Sequence, residues 1–265
     1  MQENGLIAIV KRDCPTCVMV APVLQQLESD GGLTVYSQDD PGFPEGMDVA
    51  DDTALDISYR LEVEIVPTLV RFQDGAEVER TYGWDRVAWE SLTGRDDLGA
   101  DLPAFKPGCG ALNQEQDYLA ELKIRHGDTP MVSRLVSLGA KEDAIEACFE
   151  RGWSDGLPVV PPTQERVLAM LEGTTRAADE VLGLMPSNLD ICTVEKVAIN
   201  AVMAGCRPDY MPVVLAAIEA VLDEDYCLHG TLATTRFVGP VVIVNGPIAK
   251  QIDMSGKGNA LGQGN

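Results

Sequence analysis

The chain has 265 residues, enough for one large domain or two of ordinary size, and 45% of them are hydrophobic, as in globular proteins. The formal net charge of −22 argues against binding to nucleic acid or to an anionic membrane, and no apolar run approaches the ~18 residues of a membrane-spanning helix. The seven cysteines are an odd number without regular spacing, which favours a reducing compartment. We therefore expect a cytoplasmic protein.

The first chemical signal is the sequence Cys14-Pro15-Thr16-Cys17, which lies between a predicted strand at residues 5–10 and a predicted helix at residues 15–29. This layout places Cys14 at a helix N-terminus, where free backbone N–H groups and the helix dipole favour the thiolate. Cys17 follows one turn later, close enough to attack a mixed disulfide formed at Cys14. The predicted cofactor is therefore a redox-active Cys14–Cys17 disulfide, and no other cofactor is indicated.

Two other interpretations of this motif stay open. A C-x-x-C sequence is also half of a zinc site, although the chain has no second C-x-x-C and no Cys/His pair at zinc-finger spacing. A purely structural dithiol is the other alternative.

The chain continues with a predicted strand at 33–38, an acidic loop at 39–52 and a helix at 53–61. A strand at 65–72 then begins Ile-Val-Pro-Thr, and a turn containing glycine leads to an antiparallel partner strand at 77–83. A helix with Asp85 as its N-cap ends this part of the chain.

Residues 5–93 resemble the thioredoxin-like family, which combines C-x-x-C with a Val/Ile-Pro-Thr strand start, a hairpin and a glycine before the last helix. The resemblance implies that Pro67 is cis and packs against the dithiol, and that the Val66 backbone pairs with bound substrate. The dithiol Cys-Pro-Thr-Cys differs from the Cys-Gly-Pro-Cys of thioredoxin itself, and the usual first strand and helix are missing because Cys14 lies so near the start. The resemblance therefore leaves the redox potential and the partner open.

We predict an α/β protein with a thioredoxin-like domain at 1–94, a linker rich in glycine and proline at 95–110, and an α/β or α+β domain of unknown chemistry at 111–265. Its predicted elements are helices at 114–126, 129–138, 141–151, 163–171, 193–205 and 212–222 and an apolar strand at 237–245. The chain ends on a glycine-rich run at 255–265, and we expect the domain to be continued by further chain or by a partner subunit.

Two cysteines outside the motif are candidate catalytic residues. Cys192 lies at the start of the predicted buried helix at 193–205, which favours its thiolate. Cys109 lies in Pro-Gly-Cys-Gly, a flexible setting from which a thiol could shuttle between the dithiol and a second centre. The structural alternatives are a buried cysteine that acts as a small hydrophobic residue and an inert linker cysteine.

Other residues of the second half are candidates for substrate binding. Trp153 and Asp155 lie in a proline-rich stretch at 152–163 that predicts either a binding loop or an extended segment on the core. Cys227 and His229 would share one face of an extended segment, as weak metal ligands or a thiol–imidazole pair. Arg236 follows closely and would orient an anionic substrate.

These observations predict a thiol-dependent oxidoreductase in which the dithiol domain passes electrons to the second domain, or to a partner subunit, that acts on a small molecule. The expected partners are a small-molecule or protein-thiol substrate and a partner subunit or second copy of the chain. The alternative is a redox-sensing regulatory subunit that uses the thioredoxin-like domain for docking. A weaker alternative is a metalloenzyme that uses Cys227 and His229.

Overall fold

The computed structural model describes residues 4–29, 31–186, 188–256 and 258. The chain forms two compact units, Met1–His126 and Gly127–Asn265. Most of the glycine-rich run at the end of the sequence lies outside the described residues.

The first unit is built on a mixed five-stranded sheet of order β3-β2-β1-β5-β6. Strands β1, β2 and β3 are parallel, β5 is antiparallel to β1, and β6 is antiparallel to β5. The strands are β1 (Gly5–Val10), β2 (Leu33–Ser37), β3 (Val49–Asp51), β4 (Ile65–Val66), β5 (Thr68–Gln73), β6 (Ala76–Tyr82), β7 (Trp84–Asp85), β8 (Phe105–Lys106) and β9 (Cys109–Gly110). The helices are α1 (Pro15–Ser29), α2 (Asp56–Arg60), α3 (Arg86–Thr93) and α4 (Gln116–His126).

Most of these elements agree with the sequence-based prediction. The bounds of β1 and α1 are as predicted, and Asp85 is the N-cap of α3, where its carboxylate accepts the Ala88 N–H at 3.2 Å. The predicted acidic loop at 39–52 contains the short edge strand β3, which the sequence did not indicate. Its three residues are too few for an alternating pattern to be recognised.

In the core of this unit, buried residues at the start of α1 pack against the sheet. Residues 7–10 of β1 are all buried, because β1 is the central strand and both of its faces are covered. Trp84 and Trp89 are fully buried and pack edge to face, with ring centroids 5.2 Å apart. Aromatic pairs of this geometry add to the stabilisation that comes from burial alone.

Residues 95–110 were predicted as a linker, but they pack against the first unit. The Trp84 indole N–H donates to the Pro103 carbonyl at 2.6 Å, and the Arg86 backbone N–H donates to the Ala104 carbonyl at 2.9 Å. Two short antiparallel pairs, β7 with β8 and β4 with β9, continue this attachment. The glycine and proline composition therefore reflects an irregular path across the domain and not a free connection.

A buried polar network attaches the next residues to the same unit. The Gln38 side-chain amide donates to Ser58 Oγ at 2.8 Å and to Asn113 Oδ1 at 3.0 Å, and Asn113 Nδ2 donates to the Val63 carbonyl at 2.8 Å. All three side chains are buried, so each bond replaces one that water would otherwise make. The division between the two units consequently falls after His126 and not at the predicted linker.

The second unit is α+β, one of the two classes predicted for it. Its helices are α5 (Ala144–Glu150), α6 (Gln164–Leu171), α7 (Val194–Met203), α8 (Met211–Leu222), α9 (Leu228–Ala233) and α10 (Pro247–Gln251), and β10 (Val181–Met185) pairs with β11 (Asp190–Thr193) as an antiparallel hairpin. Apolar residues of α6, α7 and α8 form its core. None of the helices described in either unit is long and apolar enough to cross a membrane.

Two predictions for this unit are wrong, and one element was missed. Residues 129–138 are not helical, because the N–H groups of Val132 and Ser133 donate to the Glu195 carboxylate at 3.0–3.2 Å and not to helix carbonyls. Residues 237–245 form no strand, and Phe237 is fully exposed. An apolar run indicates β-propensity, but a strand also requires a neighbouring strand with which to form hydrogen bonds, and this run has none among the described residues. The β10–β11 hairpin lies between the predicted helices at 163–171 and 193–205, in a stretch for which no element was predicted.

Candidate redox-active site

The dithiol lies where the central strand β1 ends and α1 begins. Two backbone N–H groups in the loop before Cys14 donate to the Asp39 carboxylate, from Arg12 at 2.7 Å and from Asp13 at 2.9 Å. Asp39 follows β2, and the carboxyl ends of the parallel strands β1 and β2 lie side by side. Asp39 therefore fixes the backbone of the loop that leads into Cys14. The sequence analysis missed it because it placed Asp39 in an acidic, solvated loop.

The Cys14 sulfur occupies the position of an N-cap acceptor. Its Sγ accepts the Cys17 backbone N–H at 3.4 Å, as a capping oxygen does in the first turn of a helix. Hydrogen bonding from the Cys17 side chain lowers the pKa of Cys14 to about 5, with smaller contributions from Cys109 and from backbone N–H groups, while burial opposes the shift. The shift favours the Cys14 thiolate, and its largest cause is Cys17 and not the helix terminus on which the sequence-based prediction rested.

Cys17 has the opposite electrostatic environment. It is fully buried, and this burial raises the pKa of its thiol far above the ordinary value, with the hydrogen bond to Cys14 acting in the same direction. Cys17 therefore keeps its proton while Cys14 is ionised. The pair has a nucleophile and a protonated neighbour one helical turn apart, which is the arrangement that thiol–disulfide exchange requires.

The strand start opposite the dithiol has the conformation that the resemblance implied. The Val66–Pro67 peptide bond is cis. Cys14 Sγ lies 3.5 Å from the Val66 carbonyl oxygen, to which the thiol form donates a hydrogen bond. On the other side, the Gly83 N–H donates to the Pro67 carbonyl at 2.8 Å, so the glycine before α3 supports this turn.

The backbone of Val66 is already paired. In the β4–β9 pair, Val66 lies opposite Cys109 and Ile65 lies opposite Gly110. Burial raises the pKa of the half-buried Cys109 thiol, and the Cys14 thiolate raises it further. The structure thus brings five of the predicted site residues together, namely Cys14, Cys17, Val66, Pro67 and Cys109.

Residues 105–110, hereafter the 105–110 segment, cover the dithiol. Thr16 Oγ1 donates to the Pro107 carbonyl at 2.6 Å, and Lys106 Nζ donates to the Pro15 carbonyl at 3.3 Å. Cys14 is only 1% exposed beneath this cover. A substrate that pairs with Val66 must therefore displace the segment.

Cys192 does not have the environment that the sequence predicted. It lies in β11 and precedes the N-cap residue Thr193, so its side chain faces the apolar core of the second unit and not the helix N-terminus. Burial raises the pKa of its thiol, and the opposing effect of Lys196 is smaller. The prediction of a stabilised thiolate at Cys192 is wrong.

The predicted Cys227–His229 pair rests on an extended segment that the structure does not contain. Cys227 has a left-handed backbone and is the N-cap of α9, and His229 lies within that helix. Residues two apart in a helix point to different sides, so the two do not share a face. Both residues are exposed, as is Arg236, and no cluster of three or more potential metal ligands occurs among the described residues.

The second unit contains a cavity of about 750 Å³. Trp153 lies on its wall, whereas Asp155 does not line it. Two lining residues were missed by the sequence analysis: Cys148, and Glu195, which is almost fully buried. Glu195 lies on the predicted buried helix, where a single carboxylate gives no signal until its backbone partners are known.

The comparisons with known proteins bear on the first unit. The family model of TraF, the F plasmid transfer operon protein, matches residues 1–79. Similar solved structures include thioredoxin from Malassezia sympodialis (Mala s 13), with 17% identity over 35% of this chain and 73% of that chain and a TM-score of 0.26. Thioredoxin O2 from Arabidopsis thaliana in its oxidized state has 24% identity over 34% of this chain and 72% of that chain, with a TM-score of 0.26. No curated protein matches the chain.

The family match covers the dithiol and the cis-proline strand. The sheet order, the position of Cys14 at the start of α1 and the cis Val66–Pro67 bond give the first unit a thioredoxin-like fold. The family match falls on this same part of the chain.

Proposed function

We propose that the first unit is a thiol–disulfide oxidoreductase in which Cys14 is the nucleophile and Cys17 the resolving thiol. The observation that carries the proposal is the geometry of the dithiol: Cys14 Sγ accepts the Cys17 backbone N–H at 3.4 Å at the start of α1 and lies 3.5 Å from the carbonyl oxygen of Val66, which precedes the cis proline. The opposite pKa shifts of the two thiols, with Cys14 lowered to about 5 and Cys17 raised, agree with these roles.

The reaction has two exchange steps. The Cys14 thiolate attacks one sulfur of a substrate disulfide, so that a mixed disulfide forms at Cys14 and the other substrate sulfur leaves as a thiolate. Cys17 then gives up its proton to that thiolate or to solvent and attacks the Cys14 sulfur. The Cys14–Cys17 disulfide forms, the second substrate sulfur leaves, and the substrate has gained two electrons. A dithiol reductant restores the site.

The electron acceptor in this proposal is a disulfide or thiol-bound intermediate, carried by a cysteine of the second unit or of a partner subunit that acts on a small molecule. Cys148 lies on the wall of the large cavity, which supports a cysteine of the second unit as the carrier of this intermediate. If it holds, Cys148→Ser will abolish turnover of the small molecule while reduction of an added disulfide peptide by the first unit continues.

The experiment that tests the dithiol chemistry is reduction of a disulfide peptide with dithiothreitol as the electron source. Cys14→Ser should abolish turnover, and Cys17→Ser should slow it because the resolving thiol is removed. Cys227→Ser, which changes an exposed cysteine outside the dithiol, is the matched control and should retain the full rate. Unchanged turnover in Cys14→Ser would remove the proposal.

The redox-sensing alternative is supported by the burial of Cys14 under the 105–110 segment. In a sensor, the redox state of the dithiol controls docking to a partner, and the dithiol does not catalyse repeated exchange. Alkylation of Cys14 separates the two functions: it stops peptide reduction in an oxidoreductase, and it changes only the oligomeric state in a sensor.

A further inference from the structure

We propose that Cys109 is a third redox-active thiol, held in the position of a substrate cysteine, and that the disulfide of the site exchanges between Cys14–Cys17 and Cys14–Cys109. The inference rests on the proposed function, since it needs a reactive Cys14. It assigns to the 105–110 segment the role of an internal substrate.

The pairing of β4 with β9 places Cys109 beside the dithiol. The Ile65–Val66 edge beside the cis proline is where a substrate strand would add, because β4 is not part of the five-stranded sheet and the Val66 carbonyl oxygen lies beside Cys14 Sγ. The chain's own residues Cys109 and Gly110 take this place in an antiparallel pair, and the Ala111 N–H extends it by donating to the Glu64 carbonyl at 3.0 Å. Cys109 is the residue opposite Val66, whose carbonyl lies 3.5 Å from Cys14 Sγ.

The second argument is the closeness of the fit. A Cβ atom at Gly108 would lie 2.5 Å from the Val66 carbonyl oxygen and 2.4 Å from Ile65 Cγ2, so only glycine allows the segment to approach this closely. Gly83 has a positive φ of 65°, and a Cβ there would lie 2.7 Å from the Gly108 nitrogen. Two glycines from separate parts of the chain therefore allow three backbone segments to meet beside the dithiol.

The third argument is that the segment is bound to the helix that carries the dithiol. The Thr16 hydroxyl, itself buried between the two cysteines, donates to the Pro107 carbonyl at 2.6 Å. Lys106 donates to the Pro15 carbonyl at 3.3 Å. These contacts hold the 105–110 segment, and with it Cys109, beside the start of α1 and the dithiol.

The exchange balances without an added oxidant. In the oxidised site, the Cys109 thiolate attacks Cys14 Sγ, so that the Cys109–Cys14 bond forms and the Cys14–Cys17 bond breaks. Cys17 leaves as a thiolate and takes up the proton that Cys109 has lost. During turnover, Cys109 attacks a mixed disulfide at Cys14 in the same way and releases the substrate thiolate, as a second resolving thiol.

The test uses the full-length Cys17→Ser variant, reduced and then treated with glutathione disulfide. Trypsin places Cys14 and Cys109 on separate peptides, 13–60 and 96–123, so that mass spectrometry identifies the bond between them. We expect Cys14 to react with glutathione and Cys109 then to displace it, which leaves the two peptides cross-linked. In Cys17→Ser/Cys109→Ser, the Cys14–glutathione disulfide should persist.

Two glycine variants in the Cys17→Ser background test the role of the segment. Gly108→Ala should force the segment out and slow cross-linking by at least about tenfold, while Cys14 still reacts with glutathione. Gly239→Ala, which adds a methyl group to open space in the second unit, is the control and should leave cross-linking unchanged.

The possible failures are distinguishable. A stable Cys14–glutathione disulfide with a free Cys109 in Cys17→Ser would overturn the inference and leave the proposed function intact. An unmodified Cys14 in all variants, including Gly108→Ala, would overturn both.

Discussion

Val66 lies between two sulfur-bearing residues: its carbonyl oxygen is 3.5 Å from Cys14 Sγ, and its backbone is paired with that of Cys109. The residue that the thioredoxin resemblance assigned to substrate binding therefore already has a cysteine of the same chain as its partner. Cys109, which the sequence placed in a linker, thus lies beside the candidate redox-active site in the folded domain.

The low pKa of Cys14 depends mainly on Cys17. Because the hydrogen bond from the Cys17 side chain is the largest cause of the shift, Cys17→Ala should raise the pKa of Cys14 towards the ordinary value of about 8.5. Cys17→Ser, which keeps a hydroxyl donor, should raise it less. The pH dependence of alkylation by iodoacetamide measures both. Identical profiles in Cys17→Ala and the wild type would assign the shift to the helix terminus instead.

The stability of the reduced protein should depend on the ionisation of Cys14. Its pKa is lower in the folded state than in the unfolded state, so the thiolate contributes stability that is fully present above the unfolded value and is lost as the pH falls through about 5. The free energy of unfolding of the wild type minus that of Cys14→Ser should therefore decrease between neutral pH and pH 5. Urea denaturation of both reduced proteins measures this difference. A difference that is constant with pH would contradict the depressed pKa.

The Gln38–Asn113 network should stabilise the attachment of residues 111–114 to the sheet. Asn113→Ala would remove one of the two hydrogen bonds that the buried Gln38 amide donates and the 2.8 Å bond to the Val63 carbonyl, at a cost of about 1–3 kcal/mol. Hydrogen exchange of the β1 and β2 amides should accelerate accordingly. Asn188→Ala, at an exposed position of the second unit, is the control and should leave this exchange unchanged. Unaltered exchange in Asn113→Ala would mean that the network is not a determinant of stability.

Local signals were sufficient to predict the dithiol and the elements beside it. The bounds of α1 follow from apolar periodicity and from glycines after its end, and the cis conformation of Pro67 was implied by the resemblance to the thioredoxin-like family. The place of Cys109 could not be predicted in this way, because β4 and β9 contain two residues each and are joined by pairing across the domain. Such short pairs produce no periodic pattern in the sequence.

The same reasoning explains the errors in the second unit. The Cys192 prediction depended on a helix boundary, and a shift of one residue moved the side chain from a helix terminus into a core. The Cys227–His229 prediction depended on an extended conformation that the left-handed Cys227 does not continue. In both cases the error lay in the predicted backbone, which determines where the side chain points.

The central claim is that Cys14 is ionised at neutral pH while Cys17 is not. The most direct measurement is the ultraviolet absorbance of the thiolate as the reduced wild-type protein is titrated, with Cys14→Ser as the reference to subtract. The account predicts one thiolate in the difference, with a midpoint near pH 5 and no second ionisation from Cys17 up to pH 9. A midpoint near the ordinary value of about 8.5 would contradict it.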